Sequence, residues 1–466
     1  MNLVVGVPPQ ILSLQQSGLI QRAFHDGLFP NLSFRQEALR EEWPAHAGTE
    51  LIITRPGLLS PVVKPNTAGA DPLPQAVPFE QWYVRLLQFA STIDTHVPTA
   101  ATAAQELFIR NIHQLGLQAG QSINRIARNA LCKPYLSGST VLIAAALTAD
   151  TSIRVAALSG FTDVVVPNSQ VRPAAVSSTN PLAITIGTGG TKRSNTVIGF
   201  QPDNLADPDG PGTLLLGSAV GGAGFASRVT VDSAYAPIRI RSGGAATIDG
   251  IATTDTFLLQ LAINAVAKLR ANNVPPHEDG YYHAHLPPGA NAQLFADPVF
   301  QRLNQSIPEG KAYGSGFVGA TSGILFFMDN ESPDYSNCGS RTLTGTNAYY
   351  SEDIAAETTN DAGTNIGRVI ITGKGCLYEK WFDESKHFVT EAGITGKVGD
   401  FSVVNNGISI PTDGIRLVLR SPMDRLQQMV AATWSISTAF AAASDITAPG
   451  PVPARYRRAI VIEYAA

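Results

Sequence analysis

Apolar residues recur at spacings of three and four from Phe108 through Ile112, Leu115, Ala119, Ile123 and Ile126 to Ala130, which places them on one stripe of a helix. The pattern predicts one helix from Thr99 to Pro134, roughly 50 Å long at 1.5 Å per residue. Its start is marked by Pro98 and by Thr102 with Gln105 three residues on. Gly116 and Gly120 interrupt it at about 1 kcal/mol each relative to alanine, and are expected to admit a second backbone or a bend. Ahead of it, Arg55 to Pro78 carries Pro56, Pro61, Pro65, Pro72, Pro74 and Pro78, so neither helix nor central strand persists there. Leu51 to Thr54 reads as a short strand matched by Gln81 to Ile93, the two legs of a long hairpin with the proline segment at its tip. The first 48 residues read as an arm that gains order by packing on something else, with Gln36 to Trp43 its only piece able to close two helical turns.

After the helix the pattern changes. Between Ser137 and Gly250, short Val/Ile/Thr runs separated by Gly, Pro and Asn predict a β-rich inserted domain, with strands near Val164–Val166, Leu182–Ile186, Thr213–Leu216, Val229–Val231 and Ile238–Ile240. Helical spacing returns at Thr254–Ala271 and is stopped by Asn272 and Asn273 before Pro275. A strand at Tyr281–Leu286, a short helix near Ala292–Leu303, a strand at Gly323–Met328 and a polar surface loop over 329–365 follow. Further strands at Val369–Ile371, Leu377–Phe382, Ser402–Val404, Ile415–Leu419, Ala431–Phe440 and Ala459–Tyr464 complete an α+β body.

Composition sharpens this picture in two ways. At 466 residues the chain can build sizeable cores, so nothing forces metals or disulfides on it. Charged residues are 15% of the total, against about 25% in typical soluble domains, leaving a largely neutral surface suited to burial against copies of itself. A net charge of −4 argues against a dedicated nucleic-acid binder. The three cysteines, Cys132, Cys338 and Cys376, show no CxxC spacing, which fits a reducing compartment. The apolar start lacks a basic leader and is broken by Pro8 and Pro9, so no signal peptide is expected. The run Val141–Leu147 is far short of the roughly 18 residues of a membrane helix.

Candidate chemistry is sparse. Gly187 to Lys192 lacks the spacing of a phosphate loop, and Gly217 to Gly224 does not fit GxGxxG; both read as turns. His283 and His285, with His277 nearby, would share a strand face, but a zinc site needs three or four ligands and only Glu278 and Asp279 lie at hand. No GxSxG frames a serine. No catalytic, cofactor or metal residues are therefore assigned. Arg110, Arg125 and Arg128, with Lys133, make the long helix basic. Trp82 and Tyr83, adjacent in a strand, are expected to point opposite ways, one to core and one to an interface.

Four blocks carry a family resemblance: residues 95–129, 269–301, 314–330 and 415–445. Their order and spacing resemble the major capsid proteins of tailed bacteriophages, and are most similar to the N4-like podovirus capsid family. The resemblance implies an HK97-like α+β fold: an N-terminal arm at 1–48, an E-loop at 49–98, and a spine helix at 99–136 in a peripheral domain. It implies a β-rich insertion at 137–250, and the rest of the peripheral domain with an axial domain at 251–466. It also implies self-assembly into hexamers and pentamers, an icosahedral shell around double-stranded DNA, no cofactor, assembly in the host cytoplasm, and scaffolding, portal and decoration partners. Lys64 would make an intersubunit charge contact; crosslinking to an asparagine such as Asn66 occurs in some members of the fold. Trp82, Tyr83, Arg110, Arg125 and Arg128 would lie at subunit boundaries or face DNA. The rival from another class is a metabolic or hydrolytic enzyme with a β-rich substrate-binding insertion, which predicts a small discrete oligomer.

Overall fold

A computed structural model describes the chain from residue 19 onward, save 29–31, 45–46, 57–58, 60, 67–68, 70, 72–73, 76, 78, 166–172, 206, 306–318, 336–338, 341–354, 357–358, 383–396, 399–400, 405–406, 413, 421–428 and 444–456. Cys338, the first part of the arm and the start of the 314–330 block lie outside the described residues. The chain forms two compact units, one from residues 1–51, 83–128 and 377–441, the other from 52–82, 129–376 and 442–466.

The first unit is a helix-on-sheet sandwich closed by the arm. Helix α1 (Leu19–Leu28) buries Ile20, Phe24, Gly27 and Leu28, one stripe of a helix. Strand β1 (Ala38–Glu42) follows, then, after the hairpin strands β2 (Glu50–Pro56) and β3 (Phe79–Arg85), whose residues 52–82 belong to the second unit, strand β4 (Leu87–His96) and the long helix α2 (Val97–Tyr135). Strands β5 (Leu377–Phe382), β6 (Ile415–Arg420) and β7 (Met429–Ala442) complete the set used below. Phe108, Ile112, Leu115, Ala119 and Ile123 of α2 share one core with α1 and with the alternating residues Ile415, Leu417 and Leu419 of β6 and Val430, Ala432, Trp434 and Ile436 of β7. The sheet runs β1-β5-β7-β6 and on through Gly407–Thr412, Phe401–Val404 and Lys397–Val398, with β4 antiparallel to β7.

Three expectations are corrected here. The piece Gln36–Trp43 closes no helix: residues 38–42 form β1, parallel to β5, because a sheet edge supplies backbone partners that a short isolated helix lacks. The returning leg Gln81–Ile93 is two strands. β3 pairs β2 and β4 pairs β7, so Phe89 and Ile93 leave the hairpin and pack on the sheet core. The long helix follows its predicted stripe to Ile123 and then departs from it. Ala127 and Leu131 are fully buried, whereas Ile126 and Ala130 are half-buried. Steps of four from Ala119 onward advance the buried face by about 40° each. Pro98 sits in the first turn, where no N–H donor is required.

The second unit holds two six-stranded sheets with separate cores. One is antiparallel throughout, in the order Ser139–Val141, Thr230–Ser233, Leu182–Ile186, Arg193–Pro202, Gly212–Leu216, Ser152–Val155. Leu182, Ile184 and Ile186 alternate into its core with Ile153, Val155, Val197, Leu214, Leu216 and Val231. The other runs Arg239–Arg241, Ala459–Ala465, Ile366–Thr372, Tyr282–Leu286, Ile324–Met328, Gly319–Thr321. The helix Leu259–Ala271 packs its Leu259, Ala262, Ala265, Val266 and Leu269 on this sheet.

The helix expected near 292–303 is two, Pro288–Ala296 and Pro298–Gln305, divided at Asp297. Proline at 298 disfavours a helical residue before it, and the Asp297 carboxylate accepts from Val299 N (2.9 Å) and from Leu259 N (2.9 Å), capping two helices at once. The helix expected from Thr254 starts at Leu259 for the same reason. The segment 329–365, expected as a surface loop, is partly buried at its described flanks: Ser332 is fully enclosed and donates to His285 O at 3.0 Å, whereas Tyr335 and residues 361–363 are exposed.

Candidate assembly surface

The hairpin β2–β3 collects apolar side chains that the chain itself does not cover. Ile52, Leu59, Val77 and Phe79 are exposed, and Val62 and Val63 reach 79% and 86%. Single exposed apolar residues are ordinary, but such a set within one hairpin is a candidate contact surface. Pairing leaves little else to hide them: the hairpin is a two-stranded sheet, with Gln81 Nε2 donating to Thr54 Oγ1 at 3.0 Å across it. Lys64 lies exposed next to Val63. Along β3 the pleat alternates, with Trp82 at 7% and Val84 buried while Tyr83 is 51% exposed.

The basic face of α2 is narrower than the sequence suggests. Arg110, Arg125 and Lys133 are exposed, but Arg128 is 1% exposed and belongs to the interior of the chain. It follows Asn124 by one turn, and Asn124 is buried too, accepting from Phe34 N at 2.7 Å and donating to Ser33 Oγ at 3.2 Å. The side of α2 next to the apolar stripe is thus polar but covered.

The described arm is held by its own chain. Arg35, itself buried, donates through Nε and Nη2 to the fully buried carboxylate of Glu379 on β5, at 2.8 to 3.0 Å. Arg40 Nε reaches the same carboxylate at 3.0 Å and the Thr438 hydroxyl donates to it at 3.4 Å. Bidentate guanidinium–carboxylate pairing of this kind fixes geometry as well as charge. At the crossing of α1 and α2 two glycines meet. A Cβ on Gly116 would lie 2.4 Å from Phe24 O, and one on Gly27 would lie 2.6 Å from His113 O. Gly116 therefore admits a second backbone, and that backbone is the arm helix.

A second buried charge cluster lies in the other unit. Glu463 sits in register with Arg241 on one neighbouring strand and Arg368 on the other, at 2.9 and 3.3 Å. Burial alone would raise the Glu463 carboxyl, but Arg241, Arg368 and Arg239 together hold it at about 2. Arg239, half-buried, is lowered to about 10 by desolvation while donating to Tyr135 O and Ser137 O at 3.3 and 3.0 Å. Sequence reasoning missed both clusters, because their partners are far apart in the chain.

Two of the three histidines come together: His277 and His283 bring ring nitrogens within 4.8 Å of each other. His277 and His283 stack face to face with ring centres 4.0 Å apart and planes 9° apart. His283 Nε2 lies 2.8 Å from Asp279 Oδ2, and His277 Nε2 lies 3.2 Å from Thr372 Oγ1. His285 is buried, 3.8 Å from Asp329. The glycine-rich stretch 187–192 is a tight 3-10 turn over Gly189–Thr191 between two strands, without the helix that a phosphate loop requires.

No family model matches the chain, and no curated protein matches it. Solved structures do. The capsid of Ralstonia phage GP4 covers 92% of this chain over 87% of its own, at 12% identity and a TM-score of 0.47. The capsid of cyanophage P-SCSP1u covers 93% over 88%, at 11% identity and 0.45. The capsid of cyanophage Pam1 covers 94% over 91%, at 10% identity and 0.45. The chain is similar to phage capsid chains. Its α+β class and element order, hairpin then long helix then inserted sheet then a second sheet, are those expected of an HK97-like fold. No helix among the described residues is long and apolar enough to cross a membrane.

Proposed function

We propose that the chain is the major capsid protein of a tailed bacteriophage, forming hexamers and pentamers that close an icosahedral shell around double-stranded DNA. The observation that carries this reading is the β2–β3 hairpin, whose Leu59, Val62, Val63 and Val77 are exposed in a chain whose own cores are closed. A hairpin of this kind is stable against a second surface and costly without one. Copies of the same chain are the occupant, by lateral contacts in which Lys64 and Tyr83 take part. Arg110 and Arg125 are exposed on α2, and in this reading they meet acidic groups of adjacent copies or packaged DNA. The domain roles follow the same scheme: arm at 1–48, E-loop at 49–98, spine helix at 99–136, insertion at 137–250, and remaining peripheral and axial parts at 251–466. Scaffolding, portal and decoration proteins are the further partners, and the host cytoplasm the place of assembly. The chain has no catalytic role in this reading.

Negative-stain electron microscopy of the purified chain, with sedimentation velocity on the same sample, tests it. Closed shells, or five- and six-membered rings sedimenting far ahead of a 49.2 kDa monomer, are expected. A homogeneous monomer or dimer at high concentration in several salts overturns the reading and favours the enzyme alternative, whose mark is a ligand-dependent melting shift.

A further inference from the structure

The inserted sheet carries opposite charges at its two ends. Its longest strand, Arg193–Pro202, has 10 residues and spans about 33 Å. Where that strand begins, three turns meet, tied by Gly221 N to Thr148 O and by Thr148 Oγ1 to Gly222 O, each at 2.8 Å. Lys192 is exposed there and has no side-chain hydrogen bond or ion pair among the described residues. The Arg193 guanidinium stands 5.5 Å from the Phe225 ring centre, over Gly222. Asp150 supplies the carboxylate of these turns, and its Oδ2 accepts from Leu147 N at 2.7 Å. Leu147 itself is 67% exposed.

Where the strand ends, the loop to Gly212 carries Asp203, Asp207 and Asp209, with Arg154 paired to Asp203. At its crest Leu205 is 89% exposed, the highest of any large apolar side chain among the described residues. An apolar side chain rimmed by one sign of charge fits an apolar surface rimmed by the other. The opposite end of the same strand carries the exposed Leu147 on one of its meeting turns, with Lys192 and Arg193 outnumbering the single acid Asp150. Two different, mutually complementary patches on one chain make a heterologous contact, which closes into a ring when rotation repeats it. Given the self-assembly proposed for this chain, and depending on it, we infer that the acidic Leu205 end of one copy's insertion docks on the basic Leu147 end of the next, head to tail.

Two experiments on the full chain test this. In assembled material, Leu147→Cys/Leu205→Cys is oxidised and run on a non-reducing gel. A ladder of covalent oligomers, absent from both single variants, is expected. Dimers from Leu205→Cys alone would mean that like ends meet, and would overturn the inference, as would a double variant that gives no ladder. Separately, Asp207→Lys/Asp209→Lys is expected to lower assembly about tenfold at fixed concentration and low salt, and addition of Lys192→Glu to restore it. Unchanged melting temperatures show that these changes leave the fold intact. If wild type assembles and the acid-reversed chain assembles equally well, the inference fails while the shell reading stands. A wild-type chain that assembles under no condition removes both.

Discussion

The arm and the hairpin look alike as sequence, both short and broken by Pro and Gly, yet the structure treats their apolar residues oppositely. Ile20, Phe24, Leu28, Phe34 and Trp43 of the arm are buried, while Leu59, Val62, Val63 and Val77 of the hairpin are exposed. The difference lies in the partners each finds within the chain. The arm has a glycine notch in α2 at Gly116, a sheet edge at β5 and a buried carboxylate at Glu379. Among the described residues, the hairpin strands β2 and β3 form a separate two-stranded sheet. A segment that satisfies itself contributes to the stability of one copy, and a segment that does not contributes to the cohesion of many.

Breaking the arm's anchor should have the largest effect on a single copy. Glu379→Gln leaves the buried Arg35 without its counter-charge, and a loss of about 3–5 kcal/mol is expected, read by denaturant unfolding of the unassembled chain. Glu463 offers a calibration of that loss by pH. Its folded value of about 2 lies below its ordinary 4.5, so its contribution is complete above pH 4.5 and is lost as pH falls towards 2. Wild type should therefore lose stability through that window, and Glu463→Gln should be less stable at neutral pH but flatter across it.

Filling the notch comes next. Gly116→Val puts a side chain against Phe24 O and should cost about 1–3 kcal/mol. It should also release α1 to proteolysis, which the hairpin variants should not do. Val62→Ser/Val63→Ser is expected to change unfolding by less than about 0.5 kcal/mol while preventing sedimentable assemblies. Lys64→Ala is the smallest case, a change in the salt dependence of assembly worth about 0–1 kcal/mol per contact. A hairpin variant that melts early, or an arm variant that melts normally, would dissolve the contrast.

How much can be read in the sequence depends on range. The α2 stripe from Phe108 to Ile123 is legible because helical spacing is local, but beyond it a step of three and a step of four are equally good sequence, and only the neighbour's surface chooses Ala127 and Leu131. Trp82 and Tyr83 alternate as any strand pair does. The strand Arg193–Pro202 is hard to see because Ser194, Asn195 and Gly199 dilute its apolar signal. Arg128 reads as surface because nothing nearby in the sequence announces a buried guanidinium. Arg35 and Glu379 lie 344 residues apart, and no local pattern joins them. The exposure of the hairpin is legible only as a run of prolines, which says what cannot form there and nothing about what covers it.

Hydrogen exchange of the unassembled and the assembled chain, followed peptide by peptide, tests the contrast most directly. The account predicts that residues 19–28 are protected equally in both states, and that residues 50–56 and 79–85 exchange quickly in the free chain and slowly after assembly. Protection of the hairpin that is the same in both states, or an arm that becomes protected only on assembly, would contradict it.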